Sequence, residues 1–186
     1  MNELIIDIET VPIELEGYEE LTESQKGKLI NPMDSRIVAI GVRIGGENHI
    51  FTNPLSEREM LEKFWDIWGK NPKIIGFYIA DFDIPFIVTR SFIHNVKIKP
   101  FLLKSTILDL KQKLNAFKWG AVRGKLKEYA ALMNLDVEDT NGSHVADMVI
   151  RGDYGAIKKY LMSDLYITDE VYKRCCETGI IGIERW

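Results

Sequence analysis

Residues 3–9 open the chain with a short, bulky apolar run, Leu4, Ile5 and Ile6, of the kind that fills a buried strand. Val11-Pro12 is expected to break that strand, and residues 13–31 are polar and acid-rich, with Glu14, Glu16, Glu19, Glu20 and Glu23. This stretch reads as a surface excursion with one short helix over residues 22–29, capped by Thr22. Residues 36–44 are rich in β-branched side chains, and Gly45-Gly46-Glu47-Asn48 turns them into residues 49–52, a hairpin signature. Ser56 followed by Glu57 and Glu59 marks a helix start. Met60, Leu61, Phe64, Trp65 and Trp68 then recur at helical spacing as a core-facing stripe, and Asn71-Pro72 ends the run. Residues 73–79 read as a fourth strand, and because a helix precedes it a parallel crossover is the natural connection. Pro85 opens a helix reaching about His94, and residues 101–108 supply a fifth strand. Residues 125–134 and 145–151 predict short helices, and 155–176 a longer one. The order, three strands, helix, strand, helix, strand, then helices, predicts an α/β fold with a mixed sheet covered by helices.

Composition sets bounds on this picture. A chain of 186 residues is expected to form a single domain, 1–186, with a core of its own. Internal repeats, low-complexity tracts and linker-like stretches are absent from the sequence. No run approaches the ~18 apolar residues of a membrane span, and no basic residue precedes the first apolar stretch, so neither a membrane protein nor a signal peptide is expected. Cys175 and Cys176 are adjacent, a spacing that suits neither a disulfide framework nor a metal knuckle; an intracellular, cytoplasmic location fits. Asn141-Gly142-Ser143 then reads as a turn, not a glycosylated site. The net charge of −4 argues at first against a nucleic-acid partner. Its distribution argues the other way. Residues 84–127 hold ten basic side chains and one acid, Asp109, for a charge of +9, leaving −13 on the remainder. A concentration of that kind suits a surface that meets a polyanion.

The candidate chemistry begins on the first strand. Asp7 and Glu9 are spaced i, i+2, so on an extended chain both project from one side, roughly 6–7 Å apart. Their repulsion at an effective dielectric of 20 is about 2.5 kcal/mol. A hard divalent cation with oxygen ligands would relieve it; the alternative is a strand end that spills two acids into solvent. After the fourth strand, Gly76-Phe77-Tyr78-Ile79-Ala80-Asp81-Phe82-Asp83-Ile84-Pro85-Phe86-Ile87 carries two further acids. Asp83 could simply cap the helix that Pro85 opens, and spacing does not separate it from Asp81. Near the C-terminus, Tyr160 and Asp164 are i, i+4 and share a helix face. Taken singly, Tyr160 reads as core and Asp164 as a solvated acid.

Together, Asp-x-Glu, Phe-Asp after strand four and Tyr-x-x-x-Asp in this order resemble the DEDD superfamily of 3′–5′ exonucleases, of the DnaQ-like, tyrosine type. The match spans essentially the whole chain, and the second motif is similar to that of the proofreading exonuclease domains of family-B DNA polymerases. Lys159 stands where another branch carries histidine, so His49, His94 and His144 are not needed for the chemistry; His144 reads as surface or capping. One departure is Tyr78, at a position where family-B motifs usually carry an asparagine that holds the substrate strand.

The resemblance implies a ribonuclease-H-like five-stranded sheet, three antiparallel strands followed by two parallel ones. It implies metal-dependent hydrolysis of phosphodiester bonds from the 3′ end of single-stranded or frayed DNA. Asp7, Glu9, Asp83 and Asp164 would bind two Mg²⁺ or Mn²⁺ ions about 3.5–4 Å apart, with Tyr160 orienting the attacking water. The family pattern assigns Asp7 to both ions, Glu9 and Asp164 to one, and Asp83 to the other. Thr10, Phe77, Tyr78, Phe86, Trp119, Arg123 and Lys125 are the expected nucleic-acid contacts, the aromatics by stacking. Phe82 reads as core, and Asp109 as helix capping or support. A polymerase or repair partner is compatible with this reading. Competing readings are an RNA 3′ exonuclease of ribonuclease D type and a non-catalytic nucleic-acid-binding or polymerase-docking module. The apolar end, Ile180-Ile181-Gly182-Ile183 and Trp186, docks either on the domain or on a partner.

Overall fold

A computed structural model describes residues 3–69, 73–120, 123–135 and 145–184. Strands β1 (Glu3–Pro12), β2 (Ser35–Ile44), β3 (Glu47–Thr52), β4 (Lys73–Gly76) and β5 (Ile107–Asp109) form one sheet in the order β3-β2-β1-β4-β5. The pairs β1–β2 and β2–β3 are antiparallel, while β1–β4 and β4–β5 are parallel. Three antiparallel strands followed by two parallel ones are as expected; the sequence does not predict the strand order. The helices are α1 (Glu23–Leu29), α2 (Glu57–Trp68), α3 (Asp83–Ile93), α4 (Leu103–Thr106), α5 (Leu110–Leu114), α6 (Leu126–Leu132), α7 (Val145–Ile150) and α8 (Tyr154–Glu177).

Alternation along β1 divides the core between the two faces of the sheet. Leu4, Ile6 and Ile8 join the stripe of α2 and residues Ile84, Phe86 and Ile87 of α3. Ile5 and Val11 point the other way, toward side chains of α8. All five residues of the predicted α2 stripe are buried, and Ser56 caps the helix through a reciprocal bond with Glu59. The hairpin turns at Gly45 and Gly46, both with positive φ. Thr22 caps α1 by the same reciprocal device.

Several boundaries differ from expectation. β1 continues through Val11 and Pro12, which pair with Arg36 and Ser35; a proline is tolerated at the end of a strand. The excursion after it is partly docked, since Tyr18 is buried and Leu15, Leu21 and Leu29 pack beside it. β4 stops at Gly76 rather than Ile79, because the chain folds back there: a Cβ on Gly76 would lie 2.9 Å from the Ile6 carbonyl oxygen. β5 begins only at Ile107. Leu102 and Leu103, inside the expected strand 101–108, are 74% and 62% exposed, and residues 103–106 form a helical turn. Ile180 and Ile181 pack on the α8 side of the core, so that part of the apolar end docks on the chain itself. Asn71-Pro72, the Asn141-Gly142-Ser143 turn, His144 and Trp186 lie outside the described residues.

Candidate active site

Asp7 and Glu9 project from the α8 face of β1, and Asp164 on α8 descends to meet them. The three side chains each offer a carboxylate oxygen, and these oxygens lie within 4.8 Å of one another. A helix comes so near the sheet because Gly41 faces it. Gly41 pairs with Asp7, and a Cβ there would stand 2.8 Å from both Leu161 Cγ and Leu165 Cδ1. The missing side chain lets α8 settle until Asp164 reaches the strand.

Asp83 arrives from the β4 side. β1 runs past the end of β4, whose last register partner is Ile5. The Ile8 N–H beyond it donates to Asp83 Oδ1 at 3.0 Å. The loop that delivers Asp83 is pinned by Asp109, whose carboxylate accepts the Tyr78 N–H at 3.1 Å and the Ala80 N–H at 2.9 Å. Asp109 also caps α5 through the Gln112 N–H. Tyr78 holds a positive φ of 66° in this loop, a strained backbone for a residue other than glycine. Of the two acids that spacing left open, Asp81 is exposed, while Asp83 is 3% exposed and is the one bonded to β1.

Burial above all disfavours the charged forms of these four carboxyls. Burial raises Asp7 well above the usual carboxylate range, with Asp83, Glu9 and Asp164 adding to it. Glu9 is raised by burial and then by Asp164 and Asp83, against the opposing pull of Lys127. Burial pushes Asp83 up to about 7, although backbone N–H groups favour its charged form. Asp164 is raised by burial, opposed by Lys127 and by its hydrogen bond with Tyr160. The Tyr160 hydroxyl is pushed upward by burial and then by Asp164 and Glu9. It therefore stays protonated at neutral pH and acts as a donor, not a base.

Lys127 on α6 is the member that sequence reasoning missed. Its Nζ lies 4.0 Å from Asp164 Oδ1 and 4.3 Å from the centre of the Tyr160 ring. Both Lys127 Nζ and Asp164 Oδ1 are buried without a hydrogen-bond partner. In the sequence Lys127 was one of ten basic residues in a long stretch, in the first turn of a short helix, with nothing to single it out.

The expected nucleic-acid contacts divide. Trp119 is 86% exposed and Tyr78 42%, with Lys111 Nζ 4.4 Å from the centre of the Tyr78 ring. Arg123 and Lys125 are exposed, and Thr10 is half-buried beside Glu9. Phe77 is half-buried and meets Tyr129 edge-on at 5.6 Å. Phe86 is a correction: at 2% exposure it belongs to the core under α3 and has no face left for a base. Phe82 packs on the same cluster, as expected.

The donor set fits hard divalent cations. It consists of carboxylate oxygens, includes an unpaired buried oxygen on Asp164, and carries repulsion that a cation would remove. Over residues 35–179 the chain matches the family model described as a predicted 3′–5′ exonuclease related to the exonuclease domain of PolB. An uncharacterized protein of Methanocaldococcus jannaschii is 39% identical over 164 residues, covering 82% of this chain and 92% of that one. The family B DNA polymerase of the hyperthermophilic archaeon Pyrobaculum calidifontis superposes with a TM-score of 0.72 at 16% identity. The match covers 97% of this chain and 25% of the polymerase, so the chain spans about a quarter of that protein and shares the fold of the part it matches. On the family match over most of its length, the chain belongs to the predicted 3′–5′ exonucleases related to the exonuclease domain of PolB.

Proposed function

We propose that this protein is a divalent-metal-dependent 3′–5′ exonuclease that hydrolyses single-stranded or frayed DNA ends. The observation that carries the reading is the convergence of Asp7, Glu9 and Asp164 within 4.8 Å, with Asp83 tied to the same strand through the Ile8 N–H. Asp7, Glu9 and Asp164 would hold the metal, and Asp83 would complete the ligand set from the β4 side. Bound divalent ions would supply Lewis acidity for the attacking water and for the departing 3′ oxygen.

The chain's own side chains do the rest. Tyr160, held protonated, hydrogen-bonds and orients the water. The water oxygen bonds to phosphorus as the bond to the 3′ oxygen breaks, the water giving up a proton to solvent and the 3′ oxygen taking one up from it. A nucleoside 5′-monophosphate leaves, and the shortened strand keeps a 3′ hydroxyl. Lys127, 4.0 Å from Asp164, would face the phosphate as negative charge develops on it. Tyr78, Trp119, Arg123 and Lys125 present stacking faces and positive charge on the approach.

The test is digestion of 5′-labelled oligonucleotides with Mg²⁺ or Mn²⁺ and with EDTA, on single-stranded DNA, RNA, and matched or mismatched duplex ends. A ladder shortening from the 3′ end of DNA, abolished by EDTA, is expected. Cleavage that survives EDTA, or a preference for RNA, would overturn the metal or the DNA part of the reading respectively.

A further inference from the structure

The strand beside the acids carries a bulge, and the bulge is held from the opposite face of the sheet. Glu9 pairs with Ala39 while Thr10 pairs with Ile37, so Val38 is an extra residue in β2. The packing records it. Val38 and Ala39, adjacent in sequence, both join the cluster that contains Ile157, Tyr160 and Leu161, whereas Ile37 and Ile40 lie in the cluster on the other face. Two consecutive side chains on one face form the wall against which the Tyr160 turn of α8 rests.

The Ile37 N–H has a side-chain acceptor. It donates to Glu57 Oε1, on the first residue of α2, at 2.8 Å. Glu57 in turn receives a bidentate Arg90 guanidinium from the last turn of α3, Nε to Oε1 at 2.8 Å and Nη2 to Oε2 at 2.6 Å. Both side chains are buried, at 8% and 7% exposure. Arg90 Nη1 also donates to the Pro32 carbonyl at 3.3 Å, and His94 Nε2 lies 2.8 Å from Glu57 Oε2. The carboxylate therefore joins α2, α3 and the bulged end of β2 at the point where β1 carries Glu9.

We propose that Glu57 and Arg90 are positioning residues of the metal centre: by fixing the Val38 bulge they set the height of the Tyr160–Asp164 turn over Asp7 and Glu9. A buried ion pair is weak evidence of a stabilising role, since desolvation cancels much of the attraction. Its bidentate geometry and its third contact, to the backbone of the bulge, are what a positioning device requires. The proposal rests on the metal-dependent reading of the site, and metal binding is chosen as its readout so that it does not stand or fall with nuclease activity.

The experiment compares Glu57→Gln, Glu57→Leu and a control, Trp68→Phe, at the far end of α2. Mn²⁺ affinity is read by electron paramagnetic resonance of free Mn²⁺, stability by Tm, and cleavage as kcat and KM separately. Glu57→Gln keeps an acceptor for Ile37 and guards against failure of Glu57→Leu to fold. Glu57→Gln is expected to weaken Mn²⁺ binding and lower kcat by about tenfold each, in the range of residues that support metal ligands, with KM unchanged. Trp68→Phe should lower Tm while leaving Mn²⁺ affinity as in the parent protein. If Glu57→Gln lowers Tm but leaves Mn²⁺ affinity and kcat intact, or if Glu57→Gln and Trp68→Phe shift Mn²⁺ binding alike, the positioning role is refuted. If the parent protein binds Mn²⁺ but digests no nucleic acid, the exonuclease reading fails while the Mn²⁺ comparison still decides this one.

Discussion

Asp164 and Lys127 form the most informative pair of side chains in the site, because Asp164 Oδ1 and Lys127 Nζ are both buried and neither atom has a hydrogen-bond partner. Asp164→Ala and Asp7→Ala are expected to abolish cleavage while leaving the fold intact, as seen by circular dichroism; normal digestion by Asp7→Ala would refute the site. Lys127 makes a sharper prediction because two effects have opposite signs. Its ammonium repels any cation approaching the acids, so Lys127→Met should bind Mn²⁺ more tightly, by about tenfold or more, since two unit charges about 4 Å apart interact by about 4 kcal/mol at an effective dielectric near 20 before solvent screening. The same substitution removes positive charge from the place where the phosphate would sit, so cleavage should slow by about 10²-fold. Tighter metal binding with slower turnover is the expected signature, from Mn²⁺ titration and single-turnover kinetics. Weaker metal binding would make Lys127 a structural partner of Asp164. Local spacing on a strand pointed to Asp7 and Glu9, whereas Tyr160 and Asp164, which singly read as core and solvated acid, entered only through the resemblance of the combined motifs. The sequence left Lys127 unseen because α6 meets α8 only in three dimensions.

At the scale of elements, the seat of α8 on the sheet decides whether the carboxylates meet. Gly41 permits that seat, and its Cβ would stand 2.8 Å from Leu161 Cγ and Leu165 Cδ1. Gly41→Ala should push α8 outward, costing about 1–3 kcal/mol as overpacking does and weakening metal binding in parallel. Thermal unfolding with and without Mn²⁺ would measure both; a stable variant with unaltered Mn²⁺ response would show that the helix adjusts without moving Asp164. Long elements were legible in the sequence for physical reasons. The stripe from Met60 to Trp68 and the capping boxes of Thr22 and Ser56 are governed by near neighbours, and the structure shows them as expected. The errors fall where distant contacts decide. β4 ends at Gly76 because Ile6 is behind it, and the segment from Phe101 departs from a strand because Leu102 and Leu103 find no partner to cover them. Phe86 was misjudged for the same reason: a phenylalanine beside an active-site motif has no direction until the helix that carries it is packed. The bulge at Val38 left no mark in the sequence, since its acceptor, Glu57, also fitted a helix start.

For the whole molecule, charge distribution yields two measurable consequences. Arg123 and Lys125 are exposed in the segment that carries the positive charge, and neutralising both should weaken binding to single-stranded DNA. The slope of log affinity against log salt should become shallower by roughly 0.7 per lost phosphate contact; an unchanged slope would remove them from the interface. The second consequence concerns stability without metal. Asp83 is raised from 3.8 to about 7 by burial, burial with neighbouring acids raises Asp7 and Glu9, and burial raises Asp164. A folded carboxyl with a raised pKa holds its proton where the unfolded chain has released it, so its contribution is present at low pH and disappears as pH climbs through the folded value. Metal-free protein is therefore expected to lose stability between about pH 4 and pH 7, the opposite of the behaviour of a salt-bridged acid. Glu57, whose pKa is lowered, acts in the other direction but over a lower range. Asp83→Asn should flatten the part of the profile near pH 7. Divalent metal binds the ionised acids and should reverse the loss at pH 8, adding about 2.7 kcal/mol at a concentration 100 times Kd. Thermal melts in EDTA and in Mg²⁺ or Mn²⁺ across this range provide the check. A metal-free Tm that rises steadily from pH 5 to pH 8 would mean that the four carboxyls do not share one buried site.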